Sequence, residues 1–507
     1  MKKGFNLCFT VLVCIAMLLC SCGKDKETGY VGEEIPTHVD AVNTLMAGLS
    51  TSGDKVTLMW VNPEDTYLDR VEIAYEHSNG EGLKTIVLLD AKAGQSGSYV
   101  IALENPYNYV FAVTAINKAG FRSEKVLASI EGTAVSPWVN RADTLMKALV
   151  KLYLDGKARD IWSSTYPQSD GYWDGAAVIW GHGGAFSGYT AFKEATWTLP
   201  KFKQQIENLY DNRLLVGIDK FRNTRNGGPE AYAVYPGDGD ERFYDDNIWV
   251  GIDMAKLYVL TKDQKYLDRA KIVWNFVLSG SDDVMGGGVY WKEGLKSKHT
   301  CSTFPAAVLA LKLYEITNES AYLEQAKKWY TWGKNILQDP ADYLFWDNAR
   351  LSDENDPNSP IVVSKEKYSY NTGQPMQVAA LLYKFTNDAS YLQDAQQMAK
   401  AAYAKWFVPF RSYVLHKSFY ILEPGHVWFQ AIMMRGFMEL YRIDHNRTYL
   451  NSYEDTLLHA WLSPARNKST HLINTNFWGT TVENKWEILH EGAVLEMISQ
   501  LALLDQE

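Results

Sequence analysis

Cysteine is scarce in this chain, and its placement excludes a disulfide framework. Four of the five cysteines lie within the first 22 of the 507 residues, so Cys301 stands alone in the rest of the sequence. A single cysteine can form neither an internal disulfide nor a multi-cysteine metal site. We interpret Cys301 as a packed helix residue, because free cysteine behaves as a small hydrophobe. A catalytic thiol is the alternative.

The apolar stretch near the N-terminus is too short to span a membrane as a helix. Residues 9–19 are almost entirely apolar and follow two lysines, whereas a spanning helix needs about 20 apolar residues. This pattern predicts a signal peptide over residues 1–21. The Leu-Cys-Ser-Cys sequence at residues 19–22 resembles a bacterial lipobox, which predicts that Cys22 becomes lipidated. A plain signal peptide cut nearby is the alternative.

A charged segment follows this cysteine. Residues 23–27, Gly-Lys-Asp-Lys-Glu, resemble the export signals of surface lipoproteins in Gram-negative bacteria. We therefore expect a linker over residues 22–34 and an outer-membrane lipoprotein exposed on the cell surface, with a periplasm-facing anchor as the alternative. The outer membrane, reached through the lipid anchor, is then one partner of the chain.

Positive charge is in deficit, whereas aromatic residues are abundant. The sequence has 50 Lys and Arg against 60 Asp and Glu, a formal net charge of −10, which argues against nucleic acid as a partner. Aromatic residues make up 13%, with 17 Trp and 31 Tyr. They suit sugar binding, because an aromatic face packs on the apolar face of a pyranose; core packing is the alternative.

His299 and His426 lack neighbours at metal-ligand spacing, so we expect neither a metal nor a cofactor.

Residues 35–134 have the pattern of a small β domain. Short β-rich runs such as residues 109–115 are separated by Gly, Asn and Pro. About 100 residues of short strands predict a β-sandwich. Trp-Val-Asn-Pro at residues 60–63 and Ala-Ile-Asn-Lys-Ala-Gly at residues 115–120 resemble fibronectin type III domains. We interpret this domain as a spacer, with glycan binding as the alternative.

A repeated pair of tyrosines runs through the rest of the chain. Pairs eight residues apart recur across short polar turns at Tyr258 and Tyr266, Tyr314 and Tyr322, Tyr383 and Tyr391, and Tyr441 and Tyr449. Because such turns carry helix-capping residues, each unit is predicted to be a helix, a tight turn and a second helix. About twelve helices fit between residues 141 and 505, which makes six pairs. We predict a mainly α fold, an (α/α)6 barrel over residues 137–505 preceded by the β-sandwich; an open solenoid is the alternative.

The loops that lead into the inner helices of such a barrel gather at one end. Loops at residues 243–247, 286–291 with 298–300, 368–374, 423–428, and 477–478 with 483–486 mix aromatic with hydrogen-bonding side chains. The turns at the opposite end are short and merely polar. The repeat therefore predicts one aromatic, polar cleft at a single mouth.

Asp245 and Asp246 form the only adjacent acidic pair at the start of a predicted inner helix. Asp245 falls on the apolar stripe of Ile248 and Ile252, where a carboxylate is costly to bury unless it is paired or faces a cavity. Helix capping is the alternative, and it explains one aspartate better than two. Retaining glycoside hydrolysis uses two carboxyl groups about 5–5.5 Å apart, one of which stays protonated beside its ionised partner. A prenyl-diphosphate motif Asp-Asp-x-x-Asp is excluded, because position 249 is Trp.

Three segments in this order resemble glycoside hydrolase family 76: Phe-Tyr-Asp-Asp-Asn-Ile-Trp at 243–249, Gly-Gly-Gly-Val-Tyr-Trp at 286–291 and Tyr-Asn-Thr-Gly at 370–373. The resemblance covers roughly residues 137–505. It implies an (α/α)6 endo-α-1,6-mannanase that hydrolyses the backbone of yeast or fungal mannan with retention, with Asp245 as nucleophile and Asp246 as acid/base. Thr372 departs from the glutamine that is commoner in the family, which affects subsite detail and not the reaction.

Other residues of these segments are candidates for sugar binding, with core packing as the alternative for each. They are Tyr244, Asn247, Gly287, Tyr290, Trp291, Tyr370, Asn371, Trp173, His182 and Trp428. We expect α-mannan as the polysaccharide partner and a monomeric protein. Two rival functions are a non-catalytic surface lipoprotein that binds glycans, and another (α/α)6 carbohydrate-active enzyme such as an unsaturated uronyl hydrolase or a sugar epimerase. The first rival would not need both aspartates.

Overall fold

The computed structural model describes residues 35–506 apart from nine short stretches. These are residues 51–54, 78–83, 104–108, 131–135, 155–159, 169–174, 208–210, 226–227 and 237–240. The predicted signal peptide, the linker with Cys22, and the candidate Trp173 lie outside the described residues.

The strands of residues 43–130 form two antiparallel sheets. They are β1 (Asn43–Leu49), β2 (Lys55–Val61), β3 (Leu68–His77), β4 (Lys84–Asp90), β5 (Ser96–Ala102), β6 (Tyr109–Asn117) and β7 (Val126–Ile130). One sheet has the order β1-β2-β5 and the other β4-β3-β6-β7. Alternation along β2 buries Val56, Leu58 and Trp60, which share one apolar core with Phe111 and Val113 of β6. A small β region therefore precedes the helices, as the strand pattern predicts.

The helices begin at residue 137. In the part of the chain that the structure describes they are α1 (Pro137–Leu149), α2 (Ile179–Thr196), α3 (Pro200–Ile206), α4 (Asn212–Asp219), α5 (Tyr244–Thr261), α6 (Gln264–Ser279), α7 (Thr300–Thr317), α8 (Ser320–Leu337), α9 (Ser369–Thr386), α10 (Ala389–Trp406), α11 (Val427–Asp444), α12 (Thr448–Leu462) and α13 (Ile488–Leu504). The prediction of a mainly helical chain is confirmed. In the described residues the expected count of twelve is exceeded by one, because two short helices, α3 and α4, stand between α2 and α5 where one helix was expected. Across the described residues, no helix has both the length and the apolar character needed to cross a bilayer.

Short elements fill the connections between these helices. The strands are β8 (Thr165–Tyr166), β9 (Arg222–Thr224), β10 (Glu230–Tyr232), β11 (Ser297–His299), β12 (Asn348–Leu351), β13 (Ile361–Ser364), β14 (Phe407–Arg411), β15 (Ser418–Leu422) and β16 (Trp486–Glu487). A π-helical turn, Val150–Leu154, extends α1, and a 3-10 turn, Val284–Gly286, follows α6. Strands β11, β12 and β13 form one small sheet beside the start of α7.

The four tyrosine repeats form helical hairpins, as the sequence predicts. They are α5–α6, α7–α8, α9–α10 and α11–α12. The first helix of each hairpin ends at a residue with φ between 54° and 58°, namely Lys262, Asn318, Asn387 or His445. The N–H of each of these residues donates to the carbonyl of the first tyrosine of its pair at 2.8–2.9 Å. This left-handed cap ends the helix after a fixed number of residues, so all four turns have the same geometry.

Six helices pack side by side in a closed sequence, from α2 through α5, α7, α9, α11 and α13 back to α2. The contact of α13 with α2 is a close backbone approach, because a Cβ on Gly188 would lie 2.4 Å from the carbonyl oxygen of Gly492. Only glycine allows this distance. Helices α1, α6, α8, α10 and α12 pack on the outside of this ring of six, which we call the inner ring.

Candidate active site

The N-terminal ends of five inner-ring helices line one cavity of about 590 Å³. The second residue of each helix contributes to it: Trp180 of α2, Asp245 of α5, Cys301 of α7, Tyr370 of α9 and Trp428 of α11. The other lining residues are Val178, Val234, Phe243, Asp246, Trp249, Trp291, His299, Asp347, Tyr368 and Phe429. A cavity of this size holds a small ligand or a few sugar units.

The first turn of α5, which carries the two aspartates, is fixed by hydrogen bonds on both sides. The N–H of Tyr244 donates to the carbonyl of Trp291 at 2.8 Å. The side-chain amide of Asn247 donates to the carbonyls of Phe243 at 2.7 Å and Tyr232 at 2.8 Å, and its oxygen accepts the N–H of Tyr232 at 2.7 Å. The two carboxyl groups therefore project into the cavity from a rigid support.

Three donors hold the carboxylate of Asp245. Its Oδ2 accepts the indole N–H of Trp291 at 2.9 Å and the thiol of Cys301 at 3.5 Å, and its Oδ1 accepts the backbone N–H of Asp246 at 2.9 Å. Burial raises the pKa of Asp245 to about 6, while these hydrogen bonds oppose the rise. Asp245 is therefore mostly ionised at neutral pH.

Asp246 has the opposite balance. Burial raises the pKa of this carboxyl well above its usual range, and the neighbouring charge of Asp245 raises it further. Because two adjacent carboxylates repel each other when both are ionised, the pair titrates in two coupled steps, and the hydrogen bonds to Asp245 favour its ionisation first. The pair thus offers an ionised group and a proton donor side by side.

A third carboxylate, Asp347, stands in the cavity, and among the described residues the one basic group within ion-pair distance is His299. Its Oδ1 accepts the side-chain amide of Asn371 at 3.0 Å, and its Oδ2 that of Asn348 at 2.9 Å. The Nδ1 of His299 lies 3.9 Å away, but burial lowers the pKa of this histidine to about 4, so the ring is neutral. Within the described ranges, no group of three His, Cys, Asp or Glu side chains is arranged to hold a metal ion.

Aromatic rings form the remaining walls. Trp291 stacks on His299 with ring centroids 5.1 Å apart, and Tyr370 stacks on Phe429 at 4.0 Å. Trp428 meets Trp249 edge to face at 5.0 Å. Since these rings support one another, the apolar surface that they present to a ligand is preorganised.

Comparison with known proteins assigns the helical region to a family. The profile described as glycosyl hydrolase family 76 matches residues 137–507. The chain belongs to this family. A crystal structure of a family 76 glycoside hydrolase from a bovine Bacteroides thetaiotaomicron strain is 39% identical, with a TM-score of 0.71, over 92% of this chain and 100% of that chain.

Two further family 76 relatives are informative. An α-1,6-mannanase from a Salegentibacter species, 26% identical over 72% of this chain and 99% of its own with a TM-score of 0.56, was solved as an inactive variant with two adjacent aspartates changed to alanine, in complex with α-1,6-mannotetrose. A mannan endo-1,6-alpha-mannosidase of Candida albicans is 26% identical over 29% of this chain and 34% of its own. The matched parts span 34–45% of the lengths of the three curated relatives.

The structure brings together some of the residues that the sequence suggests for this family 76 site. Asp245, Asp246, Trp291, Tyr370 and Trp428 line the cavity. Asn247 and Asn371 are fully buried behind it and orient other groups, the first the start of α5 and the second Asp347.

The remaining candidates lie elsewhere. Tyr244 stacks on Phe276 at 4.6 Å, away from the cavity, and His182 is fully buried against Phe221 at 5.1 Å. Burial lowers the pKa of His182 to about 3, as expected of a neutral core histidine. These side chains have core positions, which sequence reasoning alone did not distinguish from ligand contacts.

Gly287 and Tyr290 form a loop that supports the site from outside. Gly286, Gly287 and Gly288 have φ values of 84°, 140° and 84°, and a Cβ on Gly288 would lie 2.5 Å from the ring of Trp332. The side chain of Lys298 is fully buried beside this loop. Its Nζ donates to Asp282 Oδ1 at 2.7 Å and to the carbonyl of Gly287 at 2.6 Å. The Gly-Gly-Gly segment is thus a packing requirement that places Trp291.

Sequence reasoning missed several lining residues. Asp347 precedes β12 in a long connection without a repeat, so no spacing marks it. Trp249 lies on the motif of α5, and Cys301 lies at the start of α7, where the second-residue position shared by the inner-ring helices would have found it.

Proposed function

We propose that this chain is a retaining endo-α-1,6-mannanase that hydrolyses the backbone of yeast or fungal mannan. The observation that carries the proposal is the unequal carboxyl pair: three donors hold the carboxylate of Asp245, while burial and the charge of Asp245 raise the pKa of Asp246 well above its usual range. A neighbouring nucleophile and proton donor are what retaining hydrolysis requires.

Asp245 acts as the nucleophile in this proposal. Its carboxylate attacks the anomeric carbon of a mannosyl unit and forms an ester bond, while Asp246 gives its proton to the departing glycosidic oxygen. In the second step Asp246, now ionised, takes a proton from a water molecule whose oxygen displaces the ester at the same carbon. One water is added across the glycosidic bond, and two inversions give net retention.

Substrate recognition falls to the third carboxylate and the aromatic walls. The Asp347 carboxylate, oriented by two amides and without a cationic partner, is an acceptor for sugar hydroxyl groups. Trp291, Tyr370 and Trp428 offer faces for the apolar side of a mannose ring. The Salegentibacter relative, whose adjacent aspartates were both replaced, binds α-1,6-mannotetrose, which supports the same linkage here.

The wider architecture follows the same proposal. We infer an (α/α)6 barrel from the closed inner ring, a fibronectin type III-like fold for the two sheets of residues 35–134, and hydrolase residues 137–505. A lipid on Cys22 would place the monomeric enzyme on the outer membrane, at the cell surface. A non-catalytic glycan-binding lipoprotein is disfavoured, since binding alone gives no role to a protonated Asp246 beside an ionised Asp245.

The test is a time course of products from linear α-1,6-mannan, with α-1,2- and α-1,3-linked mannans in parallel. We expect mixed oligosaccharides from the first linkage only. Asp245→Asn and Asp246→Asn should each lower kcat at least about 1000-fold while still binding substrate. Asp283→Asn is the matched control, because Asp282 and Asp283 form a second adjacent pair that lines a different cavity.

Three results would each overturn one part of the proposal. Wild-type rates in either α5 variant would remove the catalytic role from the pair. Equal hydrolysis of all three linkages would remove the substrate class. A first product other than the α-anomer, detected by NMR, would remove the retaining mechanism.

A further inference from the structure

Cys301 is buried beside the reacting carboxylate. It is 3% exposed and is the second residue of α7. Its Sγ lies 3.5 Å from Asp245 Oδ2, the oxygen that also accepts the indole N–H of Trp291 at 2.9 Å. Tyr370 lines the same cavity. The thiol is therefore a second side-chain donor to the carboxylate oxygen that the indole N–H also contacts.

We propose that Cys301 is a positioning residue for Asp245. The thiol S–H donates to Oδ2. Together with the indole N–H, it fixes the orientation of the carboxylate and favours the ionised form. Its catalytic meaning rests on the function proposed above, whereas the contact itself does not.

The surroundings explain why a weak donor matters here. The titratable groups that face this point are Asp246 from α5, His299 before α7, Asp347 before β12 and Tyr370 from α9. None of these four carries a positive charge at neutral pH, because His299 is neutral. Hydrogen bonds, and not an ion pair, are therefore what keep Asp245 ionised. The thiol of Cys301 is a weak donor, so it favours the ionised form of Asp245 only moderately. A hydroxyl in its place would donate more strongly and would make the carboxylate a poorer nucleophile.

The first test compares Cys301→Ala, which removes the donor, with Cys301→Ser, which keeps one. We expect the acid limb of the kcat/KM profile to move up by about 0.5–1 pH unit in the alanine variant, with KM little changed. The serine variant should keep the limb at or below its wild-type position. A purely structural role would lower activity equally at every pH, so an unshifted limb in Cys301→Ala overturns the proposal.

The second test does not depend on hydrolysis. Iodoacetamide alkylates a thiolate, forming a C–S bond and releasing iodide while the thiol proton goes to solvent; the rate at Cys301 is followed by mass spectrometry of its own peptide. The Asp245 carboxylate raises the pKa of this thiol, so Asp245→Asn should speed alkylation at pH 8 about tenfold. Asp246→Asn is the matched control and should stay within about twofold, because asparagine resembles the protonated carboxyl.

The outcomes separate the two proposals. Suppose that alkylation is faster in Asp245→Asn alone and that the wild-type protein does not cleave α-1,6-mannan. This result would support the thiol–carboxylate contact and contradict the proposed hydrolase function. Equal alkylation rates in wild type and both variants would overturn the positioning role whatever the activity.

Discussion

Replacing Trp291 by phenylalanine removes one defined hydrogen bond and leaves a ring in place. The indole N–H lies 2.9 Å from Asp245 Oδ2. A hydrogen bond to a charged group contributes about 1.5–3 kcal/mol, and one pKa unit corresponds to about 1.36 kcal/mol. The pKa of Asp245, about 6 in the native protein, should therefore rise by about 1–2 units in Trp291→Phe.

The assay is kcat/KM on α-1,6-mannan between pH 4 and pH 9. Activity needs Asp245 ionised and Asp246 protonated, so the wild-type rate should rise as pH passes about 6 and fall once pH passes the pKa of Asp246. In Trp291→Phe the rising limb should move to about pH 7–8, which lowers kcat/KM at pH 6 about 5- to 50-fold.

The control separates loss of the hydrogen bond from loss of an indole in the cavity. Trp428→Phe removes an indole from the wall that α11 contributes, so it should change KM and leave the rising limb near pH 6. A Trp291→Phe profile whose rising limb coincides with that of the wild type would refute the role of this N–H in keeping Asp245 ionised.

Three further predictions concern stability. Gly188→Ala should lower the free energy of unfolding by about 1–3 kcal/mol, since its Cβ would meet a carbonyl oxygen at 2.4 Å; Gly183→Ala in the same helix has only ordinary contact at 3.9 Å and should be neutral or stabilising in urea titrations. Lys298→Met should destabilise by about 1–3 kcal/mol, because it leaves three buried carbonyls without their donor and removes the cation beside Asp282, whose carboxylate keeps the hydroxyl of Tyr290; a melting temperature equal to that of the wild type would contradict this. Asp246→Asn should be more stable than the wild type, increasingly so as pH rises from 3.8 toward the raised native pKa, because the unfolded chain releases this proton at a lower pH than the native carboxyl does; an equal difference in melting temperature at pH 5 and pH 8 would argue against it.

Features with a local sequence signature could be predicted. The tyrosine pairs predict the hairpins because each turn is closed by a bond between a tyrosine carbonyl and a residue four positions later. Asp245 and Asp246 are recognisable because they are adjacent and precede an apolar helix stripe. The family resemblance adds the order of the three segments, and it assigns roles that the unequal hydrogen bonding of the two aspartates independently supports.

Features that depend on contacts between distant segments could not be predicted. Asp347 reaches the cavity because β12 pairs with β11, and no residue spacing encodes that pairing. Gly287 and Tyr290 belong to a signature segment, and the contacts that the structure shows for them are with Trp332 and Asp282. A motif shows that a residue type is required at a position, but packing decides whether the requirement comes from the substrate or from the fold.

The two ends of the hairpins differ in how much chain they carry. The turns at residues 262–263, 318–319 and 387–388 contain two residues each, whereas the connections at 280–299, 338–368, 407–426 and 463–487 are many times longer. The turn at 445–447 has three residues and keeps the same left-handed cap at His445, so one extra residue is compatible with this way of ending the first helix. Residues inserted into 338–368 would change the loops around Asp245 and Asp246 and leave the helical hairpins in place. Segments grafted into the long connections are therefore the means of changing linkage preference, while the short turns keep the hairpins in register.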